Sequence, residues 1–124
     1  MDIESKIRAL VERHCATLRV QVDAIASHLS RFREEGSGDE LLREAIDLAH
    51  HIKGTSGSVG FREVSILAAQ LDESLRRMLL HPGPPEIDRA AARFEALRVL
   101  TNSLTPQMSS LYAADLSQLR KAAV

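Results

Sequence analysis

The sequence predicts an all-α protein: an antiparallel up-and-down four-helix bundle with one or more additional helices at its termini. Apolar residues recur at three- and four-residue spacing through four segments of the 124-residue chain. Ala, Leu, Arg and Glu dominate and aromatic residues make up only 3% of the chain, a balance that favours helices over sheets. The Gly- and Pro-containing breaks between these segments are short, so consecutive helices are expected to lie antiparallel.

The first 39 residues predict a long helical segment followed by a turn. Residues 3–35 contain neither Pro nor Gly and place apolar side chains at helical spacing, so they form either one helix or two. If two helices form, the break is expected at the β-branched and polar residues 17–21. The run 35–39, Glu-Gly-Ser-Gly-Asp, predicts a turn in which Asp39 is the N-cap of the next helix.

Three further helices are predicted to complete the bundle. The second covers residues 40–54, where Gly54 and the small residues after it end or tighten the helix. The third covers residues 61 to about 80 and the fourth residues 86 to about 103. Between them lies the strongest break in the chain, the His-Pro-Gly-Pro-Pro run at 81–85.

The C-terminal part of the chain predicts a shorter terminal helix. Pro106 interrupts the helical pattern and residues 108–124 resume it. No repeat, linker or low-complexity tract divides the chain. We therefore expect one helical domain over residues 1–124, with a core bundle over about 17–104.

Composition and charge argue against several classes of function. The net charge of −1 gives no reason to expect nucleic acid or an anionic membrane as a partner. The single cysteine, Cys15, cannot form an intrachain disulfide, and neither a signal peptide nor a run of about 18 apolar residues is visible. We therefore expect a cytoplasmic protein, and a monomer.

The second predicted helix carries a histidine on its solvent face. A helix turns about 100° per residue, which places the apolar residues of this segment in one sector about 100° wide. His50 lies about 140° from the centre of that sector, so its imidazole is expected to face solvent. The core sector consists of Leu41, Ala45, Leu48, Ala49 and Ile52, whereas Arg43, Ile46, Asp47, Lys53 and Gly54 surround His50.

The residues one turn after His50 suit an imidazole that carries an anionic group. Lys53 supplies a positive charge for phosphate oxygens, and Gly54 leaves the helix surface without a side chain. A glycine within a helix costs about 1 kcal/mol relative to alanine, which is tolerated more easily where bulk would obstruct an approaching molecule. Each residue alone has an ordinary explanation: a solvated histidine, an exposed lysine, a helix C-cap. Their occurrence together indicates a site.

The run from His50 to Phe61, His-His-Ile-Lys-Gly-Thr-Ser-Gly-Ser-Val-Gly-Phe, closely resembles the signature of histidine-containing phosphotransfer (Hpt) domains of two-component phosphorelays. That signature has His, any residue, an aliphatic residue, Lys and Gly, then small residues and a second Gly before a new helix. His50 fits it, whereas a start at His51 would put Gly at the Lys position. The resemblance is specific over residues 40–80 and architectural elsewhere.

The resemblance implies a partner for the imidazole on the third helix. Family members carry Gln or Glu there, bonded to the ring nitrogen that is not phosphorylated, and the matching position is Asp72. A carboxylate at this position would hold Nδ1–H and leave Nε2 as the nucleophile. Asp is shorter than Glu or Gln, so the contact is direct, bridged by water, or absent. Gln70 and Glu73 are possible substitutes, and Asp72 is otherwise an ordinary surface carboxylate.

The resemblance also implies a phosphoryl carrier rather than an enzyme. His50 would accept a phosphoryl group from a receiver aspartate or a histidine kinase, Lys53 would offset its charge, and Gly54 would let the receiver approach. No cofactor and no metal site are expected on this chain, because Mg²⁺ would be held by the receiver. The implied partner surface comprises Arg43, Ile46, Asp47, His51 and Gly57, with Leu29 and Phe32 as further candidates for which a core position is favoured.

Two other interpretations remain open, and a further one, a metal-binding bundle, is disfavoured. The sequence contains no P-loop, Gly-rich ATP-binding box or nucleophile elbow, which argues against a kinase. A phospho-accepting domain of a chemotaxis-type kinase is the second interpretation, which Asp72 and Phe61 favour slightly. A non-catalytic helical adaptor that binds signalling proteins is the third. A metal-binding bundle would need inward-facing carboxylate–histidine pairs, which the pattern lacks.

Overall fold

The computed structural model describes residues 2–36 and 38–113 of the chain. Four long helices account for most of these residues: α1 (Ile3–Glu35), α2 (Asp39–Ser58), α3 (Arg62–Leu80) and α4 (Pro84–Ser103). A 3-10 turn over Pro106–Met108 and a short helix, α5 (Ser110–Ala113), follow. These described residues include no strand, which confirms the predicted all-α fold.

Packing between neighbouring helices forms the antiparallel bundle. α1 and α3 each pack against both α2 and α4, so the four helices enclose one apolar core. Burying a leucine or isoleucine side chain contributes about 1.5–3 kcal/mol, which makes this core the main source of the bundle's stability. Its largest fully buried apolar side chains come from all four helices: Val11, Leu18, Ile25, Leu42, Ile52, Val64, Leu71, Leu75 and Leu97.

α1 is a single helix of 33 residues. The proposed break at residues 17–21 does not form, because Leu18 is fully buried there and keeps the helix packed against the bundle. At the start of α1, the Asp2 carboxylate accepts a hydrogen bond of 2.7 Å from the backbone N–H of Ser5. Gly36 ends the helix in the left-handed conformation, with φ of 70°.

Two expectations about the ends of α2 are wrong. The helix begins at Asp39 itself, so Gly38 occupies the N-cap position, where no described side chain caps the helix. Gly54 does not end the helix, which continues to Ser58. The reason is that the backbone after Gly54 still makes helical hydrogen bonds, as where the Val59 N–H donates to the Thr55 carbonyl at 3.0 Å. The chain leaves the helix only at the following turn, where Gly60 has φ of 90°.

The remaining helices follow the predicted order with small shifts. α4 begins at Pro84, inside the predicted break at 81–85, because the first turn of a helix needs no N–H from proline. α5 lies within the terminal helix predicted over 108–124, but begins only after the 3-10 turn. The rest of that predicted helix, residues 114–124, lies outside the described residues.

Candidate functional site

His50 projects from α2 into solvent. Its side chain is 64% exposed, whereas the preceding residue, Ala49, is fully buried. The opposite face of α2 fixes this orientation, because Ala45 and Ile52 are also fully buried in the core. The bundle therefore holds one imidazole at a defined point of its surface, where another protein can reach it.

One nitrogen of the His50 ring faces a carboxylate from α3. Asp72 Oδ2 lies 3.4 Å from His50 Nδ1, a direct contact near the long limit of a hydrogen bond. The Asp72 side chain is only 10% exposed, since it follows the fully buried Leu71 on the inner edge of α3. In the tautomer with its proton on Nδ1, the ring donates to this carboxylate and Nε2 keeps its lone pair.

A third residue, Arg76, joins this pair, although it was not among the site residues predicted from the sequence. Arg76 Nε donates to Asp72 Oδ1 at 2.7 Å from one turn further along α3. Asp72 therefore bridges a guanidinium and an imidazole, one on each carboxylate oxygen. The four-residue spacing of Asp72 and Arg76 favours an ion pair along a helix, and it is the sequence signal that could have identified Arg76.

The surface around His50 is open and mostly made of small or polar residues. A shallow depression of about 380 Å³ beside the ring is lined by His50, His51, Gly54, Thr55, Ser58 and Val59. A Cβ atom placed on Gly54 would meet no heavy atom of the described residues within 4 Å. The other predicted surface residues are exposed as well: Arg43, Asp47, His51, Lys53 and Gly57.

Ile46 is not part of this surface, and the prediction that it lies beside His50 in a docking patch is wrong. It is only 5% exposed and packs in the core together with Leu42. The buried sector of α2 is wider than the predicted stripe, because α2 packs against both α1 and α3. Leu29 and Phe32 are half-buried and pack against the same core, in agreement with the favoured core position.

A second histidine, His14, lies between α1 and α2. It is 8% exposed, its Nε2 lies 3.0 Å from Ser56 Oγ, and its ring stacks on Phe61 at a centroid distance of 5.9 Å. Burial lowers the pKa of His14 below its ordinary value of 6.5, and the nearby His51 lowers it further. His14 is therefore uncharged at neutral pH and packs as part of the bundle interior.

The described part of the chain contains neither a helix that could cross a membrane nor a group of side chains suited to a metal ion. No helix within residues 2–36 and 38–113 has the length and apolar composition needed to cross a membrane. Over the same residues, no three His, Cys, Asp or Glu side chains are grouped so that they could hold a metal ion.

The fold and the site together define a class of protein, a helical bundle with an exposed histidine that faces a carboxylate of the neighbouring helix. The Hpt domain family model matches residues 9–122, and the chain belongs to this family. The resemblance noted in the sequence is thereby confirmed. Hpt domains are phosphocarrier modules of two-component signalling, and they interact with receiver domains and histidine kinases in phosphorelays. Comparison with curated proteins and with solved structures gave no significant match.

Proposed function

We propose that this protein accepts a phosphoryl group on His50 from the aspartyl phosphate of a receiver domain, or from a histidine kinase, and transfers it to the aspartate of another receiver. One observation carries the proposal: His50 is 64% exposed while its Nδ1 faces the largely buried Asp72 at 3.4 Å. Exposure gives a partner access to the ring, and the carboxylate selects which nitrogen carries the proton.

The contact with Asp72 supports a transfer step at Nε2. The Nε2 lone pair attacks phosphorus in line with the bond from phosphorus to the aspartyl oxygen of the receiver. That bond breaks, the receiver regains its carboxylate, and His50 becomes a phosphohistidine with its Nδ1 proton still directed at Asp72. The positive charge that the ring acquires is offset by that carboxylate. Phosphoryl transfer depends mainly on such positioning and charge stabilisation.

The exposed residues around His50 are assigned supporting roles. Lys53 offsets the charge of the phosphoryl oxygens, and Gly54 lets the edge of the receiver's active site approach α2. Mg²⁺ is assigned to the carboxylates of the receiver and not to this chain. Arg43, Asp47, His51 and Gly57 are assigned to the contact surface for the receiver, on the basis of their exposure around His50.

The test is phosphorylation by a panel of radiolabelled receivers, with His50→Gln compared against His51→Gln as the matched control. The two histidines are adjacent and both exposed. We expect an acid-labile label in the wild-type protein and in His51→Gln, and none in His50→Gln. Label that survives the His50 substitution would refute the assignment. A His50→Gln variant that still binds its partners and signals normally would favour the non-catalytic adaptor.

A second function, the phospho-accepting domain of a chemotaxis-type kinase, is favoured by one observation. The group facing His50 Nδ1 is a carboxylate, from Asp72, and not an amide. In this case a kinase domain supplied with ATP would label His50 in trans. Labelling by such a kinase, with no labelling by any phosphorylated receiver, would favour this second function over the first.

A further inference from the structure

We propose that Arg76 is a positioning residue for His50, which acts through Asp72 by fixing the orientation of the carboxylate and offsetting its charge. The inference rests on the proposed function of His50 and extends it to a residue of α3 that does not contact the ring. Its basis is the continuous contact from the Arg76 guanidinium to Asp72 Oδ1, and from Asp72 Oδ2 to His50 Nδ1.

The two distances show which contact controls the Asp72 side chain. Arg76 Nε lies 2.7 Å from Oδ1, the length of a strong hydrogen bond between charged groups, whereas His50 Nδ1 lies 3.4 Å from Oδ2. The shorter contact determines the rotamer of a side chain that has only two rotatable bonds. Rotation of Asp72 away from Arg76 would also move Oδ2 away from the ring. Arg76 therefore holds the acceptor that His50 faces.

Arg76 also offsets the negative charge of Asp72, which is largely buried. A carboxylate that is 10% exposed has lost most of its water, and an adjacent positive charge offsets part of the cost of burying it. Arg76 supplies that charge while its own side chain stays 55% exposed. Without Arg76, the Asp72 carboxylate would lose its shorter contact and could turn away from His50 Nδ1. His50 would then lose the acceptor that favours a proton on Nδ1, and with it the preference for the tautomer that has its lone pair on Nε2.

Other charged and titratable side chains also surround the His50 ring. On α2 the exposed charged or titratable side chains around His50 are Arg43, Asp47, His51 and Lys53, and on α3 the nearest are the largely buried Asp72 and the exposed Arg76. From α1, His14 interacts with His51. Within the described residues, Asp72 is the group that contacts His50 Nδ1 directly.

The adjacent residue, Arg77, offers a matched control. It pairs with Glu73 at 3.0 Å with the same four-residue spacing, and its side chain is also 55% exposed. Glu73, however, is 67% exposed, and among the described residues its contact is with Arg77 and not with a histidine. Exposed pairs of this kind contribute little to stability, so Arg77→Gln reports the effect of removing one surface guanidinium from α3.

The experiment compares Arg76→Gln, Arg76→Lys and Arg77→Gln by two measurements. The first is ¹⁵N NMR of the His50 ring in the unphosphorylated protein, which reports the tautomer without any transfer reaction. We expect Arg76→Gln to move the Nδ1 and Nε2 shifts toward each other, Arg77→Gln to leave them at their wild-type values, and Arg76→Lys to restore them in part. Wild-type shifts in Arg76→Gln would overturn the proposal.

The second measurement is phosphoryl transfer as a function of receiver concentration. We expect Arg76→Gln to lower the maximal rate about tenfold with an unchanged half-saturating concentration, the size expected when a charge-assisted hydrogen bond is lost from a positioning group. In an Asp72→Asn background the same substitution should have no further effect. A tenfold loss in that background too would mean that Arg76 acts directly on the phosphoryl group or the receiver, and would overturn the proposal. Failure of the proposed function itself would appear differently, as absent labelling of wild-type His50.

Discussion

Replacement of Gly54 by alanine is expected to make this protein more stable and less active. Gly54 lies inside α2, one turn before its end, and its φ is not among the positive values that require glycine. A Cβ atom at this position would meet no heavy atom of the described residues within 4 Å. The fold therefore provides no packing or backbone reason for a glycine, and the reason is expected to lie in the approach of a partner.

The size of the stability change follows from helix propensity alone, because the new methyl group contacts nothing in the described structure. Alanine is favoured over glycine inside a helix by about 0.8–1.0 kcal/mol. For a chain of 124 residues, that gain corresponds to a rise in the unfolding temperature of roughly 3–5 °C. Gly57 is the contrasting position, because its Cβ would lie 3.3 Å from Ser65 Oγ and would displace a hydroxyl that donates to the Lys53 carbonyl.

The assay pairs thermal unfolding, followed by circular dichroism, with the rate of transfer from a phosphorylated receiver. Gly54→Ala should unfold at a higher temperature and transfer more slowly, and Gly54→Leu should lose more of the transfer rate because its side chain projects further. Gly57→Ala should gain less stability than Gly54→Ala. Transfer at the wild-type rate in both Gly54 variants would refute the steric role. A lower unfolding temperature for Gly54→Ala would refute the inference that the added methyl group projects into open space.

Three further predictions concern the bundle around the site. Because burial lowers the pKa of His14, the unfolded chain binds more protons than the folded protein as the pH falls below about 6.5, and stability decreases toward acid. In urea unfolding between pH 7 and 5, His14→Gln should flatten that slope by up to about 1.4 kcal/mol per pH unit; equal slopes in the wild type and the variant would contradict this effect of burial. Ile46→Ala should cost about 2–5 kcal/mol in the free energy of unfolding, and a loss below about 0.5 kcal/mol would indicate a surface position. Ser109→Ala should cost about 1–3 kcal/mol, because the buried Ser109 hydroxyl donates to the Val59 carbonyl at 2.7 Å; an unchanged urea midpoint would show that this bond is dispensable.

The orientation of His50 could be predicted from the sequence because it depends on local geometry. The helical period relates His50 to buried positions within one or two turns, such as Ala49 and Ile52, and no knowledge of neighbouring helices is needed. Asp72, by contrast, was identified through the resemblance to the Hpt signature, by its distance along the chain from His50, and not from helix geometry. The structure exposes His50 and places Asp72 Oδ2 3.4 Å from its Nδ1, so that of the three arrangements left open for this pair it has the direct contact.

The features that could not be predicted depend on tertiary contacts. Ile46 is buried because α2 has a helix on each side, and the number of neighbours of a helix is not encoded in its own period. The end of α2 depends on residues about fifty positions later, because the Ser109 hydroxyl donates to the Val59 carbonyl and the Ser110 amide donates to the Gly60 carbonyl. A prediction that ends the helix at its first glycine cannot take these tertiary hydrogen bonds into account.

The site differs from an ordinary helix surface in residues that stability alone would not favour. Alanine would stabilise α2 more than Gly54 does, by helix propensity. At Asp72, an apolar residue would fill a largely buried position without the desolvation of a carboxylate, and buried ion pairs are often no more stabilising than such replacements. Natural sequences tend to depart from local rules at functional sites. Because these two departures lie on different helices and both border one exposed ring, they support His50 as the reacting residue.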